Sequence, residues 1–257
     1  MPRVVTLTTD FGSGSGYVAE MKGRLLHARA QFTLVDIAHD VSPHDIRAAA
    51  WLVGQACPAF PVGTLHIVVV DPGVGTARRL LWARVGEQEF LCPDNGVLSG
   101  ALARAPLEAA RVLADVSPAA ATFHGRDVLA PAAVRLLDGT APESLGPPAT
   151  DPVSLAWPEP QETAAGLVGE VIHVDAFGNL ITNLPAASLA RLVRSGRIRL
   201  GEQERHEIGT IVRTYGDAQA GTPVVLVGSQ GYLEIAVVEA RADTRFAAGI
   251  GTVVSIA

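Results

Sequence analysis

The sequence predicts an α/β N-terminal domain with a largely parallel sheet, followed by a smaller C-terminal all-β domain. Up to about residue 140, apolar strand patterns alternate with helical patterns, as in α/β proteins with parallel sheets. Six prolines then fall between Thr140 and Gly166, where periodicity is weak. Beyond them, short strand patterns with glycine-rich turns favour a small barrel or sandwich. We therefore predict an α/β domain at 1–150, a proline-rich linker at 151–165 and a β domain at 166–257.

In the first domain, the predicted strands are short apolar runs and the predicted helices are longer amphipathic stretches. The strands are predicted at 4–8, 33–37, 65–70, 80–85 and 89–92. The helices are predicted at 17–30, 46–56, 97–103 and 127–137. Ser42 and Pro43 have the residue types of an N-cap and a first helical position, and so predict the start of the second helix.

In the second domain, strand patterns separated by turn residues outnumber helical ones. The strands are predicted at 167–174, 197–200, 207–212, 223–227, 232–238 and 251–256. A single helix is predicted near 186–193.

Composition and charge exclude several classes of function. The 257 residues are 48% apolar, which suffices for sizeable cores, and the net charge of −6 argues against a nucleic-acid surface. The sequence contains no apolar run long enough to cross a bilayer and no N-terminal signal-peptide pattern. Cys57 and Cys92 form no CxxC pair and lie among apolar residues, as buried reduced thiols do. We expect a cytoplasmic protein that binds neither nucleic acid nor membranes.

Two aspartates each follow a predicted strand of the first domain. The segment 66–79, HIVVVDPGVGTARR, runs from a β-branched strand, which we expect to be buried on both faces, directly into Asp71. Asp10 ends the first strand in the same way, before a glycine-rich loop. Because open α/β sheets bind ligands at the carboxyl ends of their strands, both carboxylates should line one edge of the sheet.

The first group of candidate residues is Asp10 with the loop 12–16, GSGSG. A strand, a glycine loop, a helix and then Asp36 come close to a dinucleotide-binding fingerprint, but the glycine spacing is wrong. Asp10 would also repel a pyrophosphate, whereas its two oxygens could hold both hydroxyls of a ribose. The alternative is that Asp10 only caps the turn.

The second group is Asp71, Arg78 and His124. His124 lies in the segment FHGRD before a predicted helix, so it should reach the strand ends, whereas the strand position of His66 favours packing. An aspartate, an arginine and a histidine can together orient a water, accept its proton and stabilise the developing hydroxide. A structural ion-pair network is the alternative. The sequence contains no metal-ligand spacing and no ATP-binding P-loop.

The third group lies in two turns of the second domain. Asp175, Phe177 and Asn179 offer an acceptor for an ammonium group, a ring to stack on a base and an amide for a purine edge. A second glycine-containing turn follows at 228–234, GSQGYLE. Ordinary hairpin turns are the alternative for both segments.

Together these motifs resemble the S-adenosylmethionine hydroxide adenosyltransferase family, whose relatives include the bacterial fluorinase and chlorinase. The resemblance runs nearly end to end, and because it rests on many ordered matches it is far more specific than any single motif. The matching segments are TTDFG at 8–12, YVAEMKG at 17–23, DIAHDVSPHDIRAAAWL at 36–52, VVVDPGVGTARR at 68–79, PDNGVLS at 93–99, FHGRDVLAPAA at 123–133, VDAFGNLITN at 174–183 and GSQGYLEIAV at 228–237.

The resemblance implies an activity and an assembly. In this family water displaces methionine at the ribose C5′, so S-adenosylmethionine is the substrate, adenosine and L-methionine are the products, and no cofactor or metal is expected. The implied C-terminal domain is a β-barrel. The implied oligomer is a homotrimer that holds S-adenosylmethionine between the N-terminal domain of one subunit and the C-terminal domain of its neighbour.

The resemblance also implies roles for individual residues. Asp71, Arg78 and His124 match the catalytic residues, with the spacing from Asp71 selecting Arg78 over Arg79. The implied substrate contacts are Asp10, Phe11, Asp175, Phe177, Asn179, Ser229, Tyr232 and Glu234. One position departs from the family: the glycine loop usually carries an acidic residue near position 15, where this chain has Ser15.

Two other functions stay open on the sequence. A non-catalytic module could sense S-adenosylmethionine or adenosine through the same pocket, although a sensor has no use for water activation. An adenosyl halide transferase is the other alternative, but halide-using relatives lack the Asp71, Arg78 and His124 set.

Overall fold

The computed structural model describes residues 2–114, 121–164, 166–201 and 206–257. The chain divides into two units, Met1–Ala156 and Trp157–Ala257. The helices in the described part of the chain are all too short or too polar to cross a membrane.

The first unit is an α/β fold, as predicted. Its strands are β1 (Arg3–Thr9), β2 (Phe32–Ala38), β3 (Leu65–Val69), β4 (Leu80–Val85), β5 (Gln88–Pro93) and β6 (Leu107–Val112). Its helices are α1 (Gly16–Leu25), α2 (Ile46–Ala56), α3 (Ser99–Leu102) and α4 (Ala130–Leu137). A π-helical turn, Gly125–Leu129, leads directly into α4.

The sheet of this unit is mixed with mostly parallel strands, which confirms the prediction of a largely parallel sheet and adds an antiparallel part. Its strand order is β2-β1-β3-β5-β4-β6. The first four strands run parallel to one another, whereas β4 pairs antiparallel with both β5 and β6. The helix predicted at 97–103 is observed as the shorter α3. The segment after it forms β6, an edge strand that was not predicted. The parallel part of the sheet nevertheless carries the predicted site.

Helices cover both faces of the sheet, which explains the unbroken apolar pattern of β3. Ile67 and Val69 pack with α1 and α4 on one face, and Val68 and Val70 pack with α2 and α3 on the other. All five residues of β3 are buried. The prediction of a strand buried on both faces is therefore confirmed.

Two predicted helix boundaries in this unit are wrong for local reasons. Helix α2 is capped by Asp45, whose carboxylate accepts a hydrogen bond from the Ala48 N–H, and not by Ser42. Asp45 is an equally good N-cap residue and lies directly before the first apolar turn. Helix α1 ends at Leu25 instead of residue 30, because the chain must turn to enter β2.

The second unit is an antiparallel β structure. Its strands are β7 (Gln161–Thr163), β8 (Gly166–Val174), β9 (Leu180–Pro185), β10 (Ile198–Leu200), β11 (His206–Ile208), β12 (Pro223–Val227), β13 (Tyr232–Val237) and β14 (Val253–Ile256). Its helices are α5 (Leu189–Ser195) and α6 (Ala242–Phe246).

The sheet of the second unit curls until its two edges nearly meet. The strand order is β11-β10-β14-β8-β9-β13-β12, with β7 paired to β8. The segment after β11 then reaches β12, where the Val212 N–H donates to the Val225 carbonyl and the Val225 N–H donates to the Thr210 carbonyl. The result is a nearly closed, barrel-like sheet with an apolar interior. The predicted strand at 207–212 ends at Ile208, and β9 is an additional strand that the sequence patterns did not indicate.

Candidate active site

The carboxyl ends of β1 and β3 place Asp10 and Asp71 at the same edge of the first sheet. These strands are parallel neighbours whose register pairs Thr9 with Val69, and each aspartate follows its strand within two residues. The prediction that both carboxylates line one edge is confirmed by this register.

Asp71, Arg78 and His124 form one continuous contact. Arg78 Nε donates to Asp71 Oδ1 at 2.7 Å, and Arg78 Nη2 contacts both Asp71 Oδ2 and, at 2.9 Å, His124 Nδ1. The side chains of Asp71 and Arg78 are only 7% and 10% exposed. A bidentate pair with so little solvent contact fixes the orientation of both groups. The structure thus brings together the three residues that the sequence put forward as catalytic.

The contact from Arg78 also fixes which nitrogen of His124 carries the proton. A guanidinium can only donate, so Nδ1 accepts and the neutral ring carries its hydrogen on Nε2. Burial lowers the pKa of His124 below its ordinary value of 6.5, and the charge of Arg78 lowers it further against the opposing charges of Asp71 and Asp127. His124 is therefore neutral near physiological pH.

Glycines shape the loop that carries Arg78 back to Asp71. Gly75 has φ +80°, and a Cβ there would lie 2.6 Å from the Ala121 carbonyl oxygen of the segment leading to His124. Gly125 is packed in the same way, since a Cβ would lie 3.1–3.3 Å from Met21 and Val69. Gly75 thus lets the Asp71 loop approach the His124 segment, and Gly125 lets that segment pack closely on α1 and β3.

Arg79, the neighbour of Arg78, has a different environment. Its guanidinium pairs with Asp94 at 2.6 Å and with Asp151 at 2.8 Å. Asp94, whose side chain is 2% exposed, also accepts a hydrogen bond from the Val153 N–H. Arg79 therefore holds the segment that begins at Asp151, and only Arg78 contacts Asp71 and His124. The spacing argument that selected Arg78 agrees with this geometry.

Asp10 is held by the backbone of the segment after β2. Its Oδ2 accepts a hydrogen bond of 2.9 Å from the His44 N–H, and His44 has the left-handed φ of +67°. This contact corresponds to the turn-capping alternative for Asp10. A carboxylate has further acceptor positions, so a role in binding a diol stays a prediction.

Phe11 belongs to an aromatic cluster beside these residues. Its ring contacts those of Tyr17 and Phe123 edge to face, with centroids 5.8 and 5.6 Å apart. Arg126 lies over Phe123 at 4.7 Å from the ring centroid. The cluster forms an apolar surface next to His124, and Tyr17 and Phe123 were not predicted as parts of the site.

Ser15 has a structural role that explains the departure in the glycine loop. Its side chain caps α1 by accepting a hydrogen bond from the Tyr17 N–H at 3.2 Å. An acidic residue can cap a helix in the same way, so serine keeps this function without the charge.

His66 lies outside this site, as predicted. It is fully buried, and its Nδ1 lies 2.7 Å from Thr6 Oγ1. Burial lowers the pKa of His66 to about 4, so the ring stays neutral in the core.

In the second unit, Asp175 organises the turn between β8 and β9. Its Oδ1 accepts hydrogen bonds of 2.9 Å from the N–H groups of Phe177 and Asn179, and its Oδ2 accepts one from Asn179 Nδ2 at 3.0 Å. The turn-forming alternative thus describes the observed contacts of Asp175 and Asn179. Phe177 differs, because its side chain is 76% exposed at the tip of the turn. An exposed ring of this kind is available for stacking on a base.

The turn after β12 carries Ser229, and the strand that follows it, β13, carries Tyr232 and Glu234. Ser229 is exposed, and Tyr232 begins β13. Glu234 is buried and accepts a hydrogen bond from Tyr215, a residue that no sequence motif indicated. Burial raises the pKa of Glu234, and the nearby charge of Asp175 raises it further. The structure therefore places Tyr215, Glu234 and Asp175 close together.

Comparison with known proteins gives the same family for both units. Residues 5–146 match the model of the SAM hydroxide adenosyltransferase N-terminal domain, and residues 169–255 match that of the C-terminal domain. A protein of Thermus thermophilus named (R)-S-adenosyl-L-methionine hydrolase is 39% identical over 259 residues, which cover 96% of each chain. A protein of the same name from Salinispora tropica is 39% identical over 249 residues, covering 93% of this chain and 91% of that one.

More distant sequences and solved structures extend this comparison. A fluorinase of an Actinoplanes species is 27% identical over 269 residues, covering 91% of this chain and 90% of the fluorinase. The crystal structure of an uncharacterised conserved protein from Thermotoga maritima has a TM-score of 0.89 at 31% identity, covering 98% of this chain and 100% of that one. A conserved hypothetical protein from Thermus thermophilus has a TM-score of 0.80 at 35% identity, covering 99% and 100%.

Proposed function

The chain belongs to the S-adenosylmethionine hydroxide adenosyltransferase family and is an S-adenosylmethionine hydrolase, and we propose that Asp71, Arg78 and His124 direct water onto its substrate. The observation that carries this proposal is the continuous contact among these three side chains beside Asp10. Water attacks the ribose C5′, the C5′–S bond breaks with its electron pair going to sulfur, and adenosine and L-methionine form. The leaving group is a neutral thioether, so the protein needs to supply only an aligned nucleophile and a proton acceptor.

The geometry suggests how the three residues divide this work. Both Asp71 oxygens already bind Arg78, which holds the carboxylate in place while leaving lone pairs to accept from a water. The water becomes strongly acidic only as the C5′–O bond forms, so a carboxylate is a sufficient proton acceptor at that stage. Neutral His124 offers its Nε2 hydrogen to the same oxygen and so orients the water, while Arg78 holds the Asp71 carboxylate in place to take the proton. Near-attack positioning of water and C5′ can contribute roughly 7–11 kcal/mol of the barrier reduction.

Substrate binding is assigned to residues from both units. We propose that Asp10 accepts from the ribose hydroxyls and that Phe11 borders the ribose. We assign the stacking contact with adenine to Phe177, and further contacts to Asp175, Asn179, Ser229, Tyr232 and Glu234. We also propose a homotrimer in which the binding residues of the second unit complete the site of a neighbouring subunit. The family resemblance and the exposed ring of Phe177 support this arrangement.

The reaction needs no metal or other cofactor in this proposal. Groups of three or more residues suited to hold a metal are absent from the described ranges, but the argument rests on the chemistry of an aspartate, an arginine and a histidine. We further propose that the enzyme works in the cytoplasm, because its two cysteines are free and buried thiols.

The test is a product analysis of the purified protein with S-adenosylmethionine in ¹⁸O-labelled water. We expect methionine and adenosine with the label in the 5′-hydroxyl, at a rate that a chelator does not change. Parallel reactions with chloride and with fluoride decide whether a 5′-halo-adenosine forms instead, as a halide transferase would produce. Binding without any product would identify a sensor. Activity that is lost with chelator and restored by a divalent cation would overturn the metal-free mechanism.

A further inference from the structure

Asp36 is the acidic residue of the rejected dinucleotide fingerprint, and the proposed reaction gives it no role. In the structure it belongs to a chain of close polar contacts behind the Asp10 turn. Asp36 Oδ2 lies 2.6 Å from Lys22 Nζ of α1, and Asp36 Oδ1 lies 3.1 Å from His39 Nε2 just after β2. Although burial opposes it, hydrogen bonds from Lys22 and His39 lower the pKa of Asp36, so this carboxylate is ionised. The two partners occupy it, which leaves it unsuited to hold a cofactor ribose.

The chain continues from His39 to the turn that carries Asp10. His39 Nδ1 lies 3.0 Å from Thr9 Oγ1, and Thr9 Oγ1 accepts a hydrogen bond of 3.3 Å from the Phe11 N–H. The His39 carbonyl also accepts from the Gly12 N–H at 2.6 Å. His39 thus contacts the residues on both sides of Asp10 and Phe11, once through its side chain and once through its backbone.

The donors and acceptors of this chain run in one direction. Lys22 can only donate to Asp36, and the ionised carboxylate lies 3.1 Å from His39 Nε2, a close contact without hydrogen-bond geometry that favours a hydrogen on this nitrogen. In the tautomer with its hydrogen on Nε2, the ring accepts at Nδ1 from the Thr9 hydroxyl, whose oxygen in turn accepts from the Phe11 N–H. Each member has one consistent role, and Thr9 is fully buried, so the arrangement holds Thr9 and the adjoining turn in one orientation.

We propose that His39 is a positioning residue that sets the Asp10 carboxylate for the ribose diol through Thr9. This inference rests on the proposed function, because it assigns the orientation of the ribose-binding residue to a chain that does not touch the substrate. Its specific consequence concerns binding affinity. Losing the Thr9 contact should weaken the binding of ligands that carry the 2′- and 3′-hydroxyls and hardly change the binding of ligands that lack them. A residue that merely stabilised the fold would weaken both kinds of ligand alike.

Two substitutions at His39 separate its contacts. His39→Asn keeps an oxygen near the position of Nδ1 for Thr9 but cannot reach Asp36, whereas His39→Gln keeps a group that reaches Asp36 but leaves Thr9 without its acceptor. His27→Gln is the matched control, since His27 is exposed at the end of α1. Thermal unfolding of all three variants checks that each protein folds.

The experiment measures the dissociation constants of adenosine and of 2′,3′-dideoxyadenosine by calorimetry, since neither nucleoside is turned over. For His39→Gln we expect adenosine to bind about five- to tenfold more weakly, the effect of one misplaced hydrogen bond, while the dideoxy compound binds within about twofold of wild type. His39→Asn should recover most of the adenosine affinity. In turnover of S-adenosylmethionine, His39→Gln should raise KM by a similar factor and leave kcat within about twofold.

Two results would overturn the inference. One is equal weakening of both nucleosides by His39→Gln, and the other is unchanged adenosine binding in that variant. Each is distinguishable from failure of the proposed function, which would appear as a wild-type protein that does not hydrolyse S-adenosylmethionine.

Discussion

At the scale of single residues, two aspartates at one sheet edge have different surroundings and therefore different expected roles. Asp71 is locked by a bidentate arginine beside a neutral histidine, while Asp10 is held by one backbone N–H next to the aromatic cluster. The first arrangement suits handling a proton, and the second suits recognising hydroxyl groups. Matched substitutions at these positions therefore separate chemistry from binding.

Asp71→Asn should lower kcat at least about a hundredfold with S-adenosylmethionine affinity within a few-fold of wild type, because it removes a proton acceptor. His124→Ala should lower kcat by a similar factor with a similarly small effect on affinity, because it removes the donor that orients the water. Asp10→Asn should instead weaken binding by roughly 1.5–3 kcal/mol, as expected for hydrogen bonds to a charged group. Single-turnover kinetics and calorimetry measure the two effects. A fully active Asp71→Asn variant, or one that fails only because it no longer binds, contradicts the role assigned to Asp71.

Neighbouring arginines offer a second matched pair. Arg78→Lys cannot keep the bidentate contact with Asp71 and the contact with His124 together, so we expect kcat to fall on the order of a hundredfold. Arg79→Lys keeps a cation beside Asp94 but loses part of the link to Asp151, so we expect a lower Tm with kcat within a few-fold of wild type. Steady-state kinetics and thermal unfolding of both variants provide the comparison. The reverse pattern would mean that Arg79, not Arg78, serves the reaction.

The lowered pKa of His124 predicts the acid limb of the pH profile. Because the pKa of His124 lies below its ordinary value of 6.5, the ring is still neutral when the pH falls to 6.5. Protonation at a lower pH places a hydrogen on Nδ1, where it opposes the contact with Arg78. We therefore expect kcat to be constant from pH 8 to about 6.5 and to fall only below that range. A pH series of kcat for wild type and for His124→Gln tests this, since the variant should lose that acid limb. A wild-type midpoint above 6.5 would contradict the assignment.

At the scale of elements, the site depends on loops that meet because glycines allow it. The Asp71–Arg78 loop follows β3, the His124 segment precedes the π-helical turn, and Gly75 brings the loop against Ala121. Irregular helical turns such as Gly125–Leu129 occur often at functional sites. The geometry of the site therefore depends on where this loop and this segment begin and end as well as on the side chains that they carry.

Gly75→Ala tests the role of this close approach. The substitution combines a left-handed φ with a clash against the Ala121 carbonyl, so it should destabilise the fold by about 1–3 kcal/mol and lower kcat at least about tenfold by moving Arg78. The control is Gly63→Ala, because Gly63 has a similar φ of +76° with no atom within 4 Å of the added Cβ. That variant should lose about 1–2 kcal/mol of stability and keep its kcat. Denaturant unfolding and kinetics measure both, and equal kcat in the two variants would mean that the contact with Ala121 has no effect on the site.

At the scale of the whole molecule, the proposed assembly has a direct consequence for activity. If subunits share each site, a monomer lacks the substrate contacts that its neighbour supplies and should neither bind nor turn over S-adenosylmethionine. We expect light scattering to give a homotrimer or a multiple of one, and specific activity to fall on dilution into the range where the oligomer dissociates. Phe177→Ala should reduce affinity for adenosine without changing the oligomeric state. A monomer that stays fully active across the dilution series would contradict the shared site.

The class of both units, the strand that precedes Asp71 and the residues to test could be predicted from the sequence, because these depend on local patterns. Apolar periodicity and turn residues are local properties, and many ordered motifs identify a family. Strand order depends on tertiary structure, because it decides that β5 and not β4 pairs with β3, and that β6 pairs with the other edge of β4.

The same distinction applies within the site. Spacing from Asp71 selected Arg78 over its neighbour, but the folded loop shows the physical difference: Arg78 contacts Asp71, and Arg79 contacts Asp94. The contact that sets the tautomer of His124, the contact of Lys22 with Asp36 and the contact of Tyr215 with Glu234 likewise join residues on different elements of the chain. Hydrogen bonds and pKa shifts depend on distances of a few ångströms between such residues, and those distances are fixed only when the chain has folded.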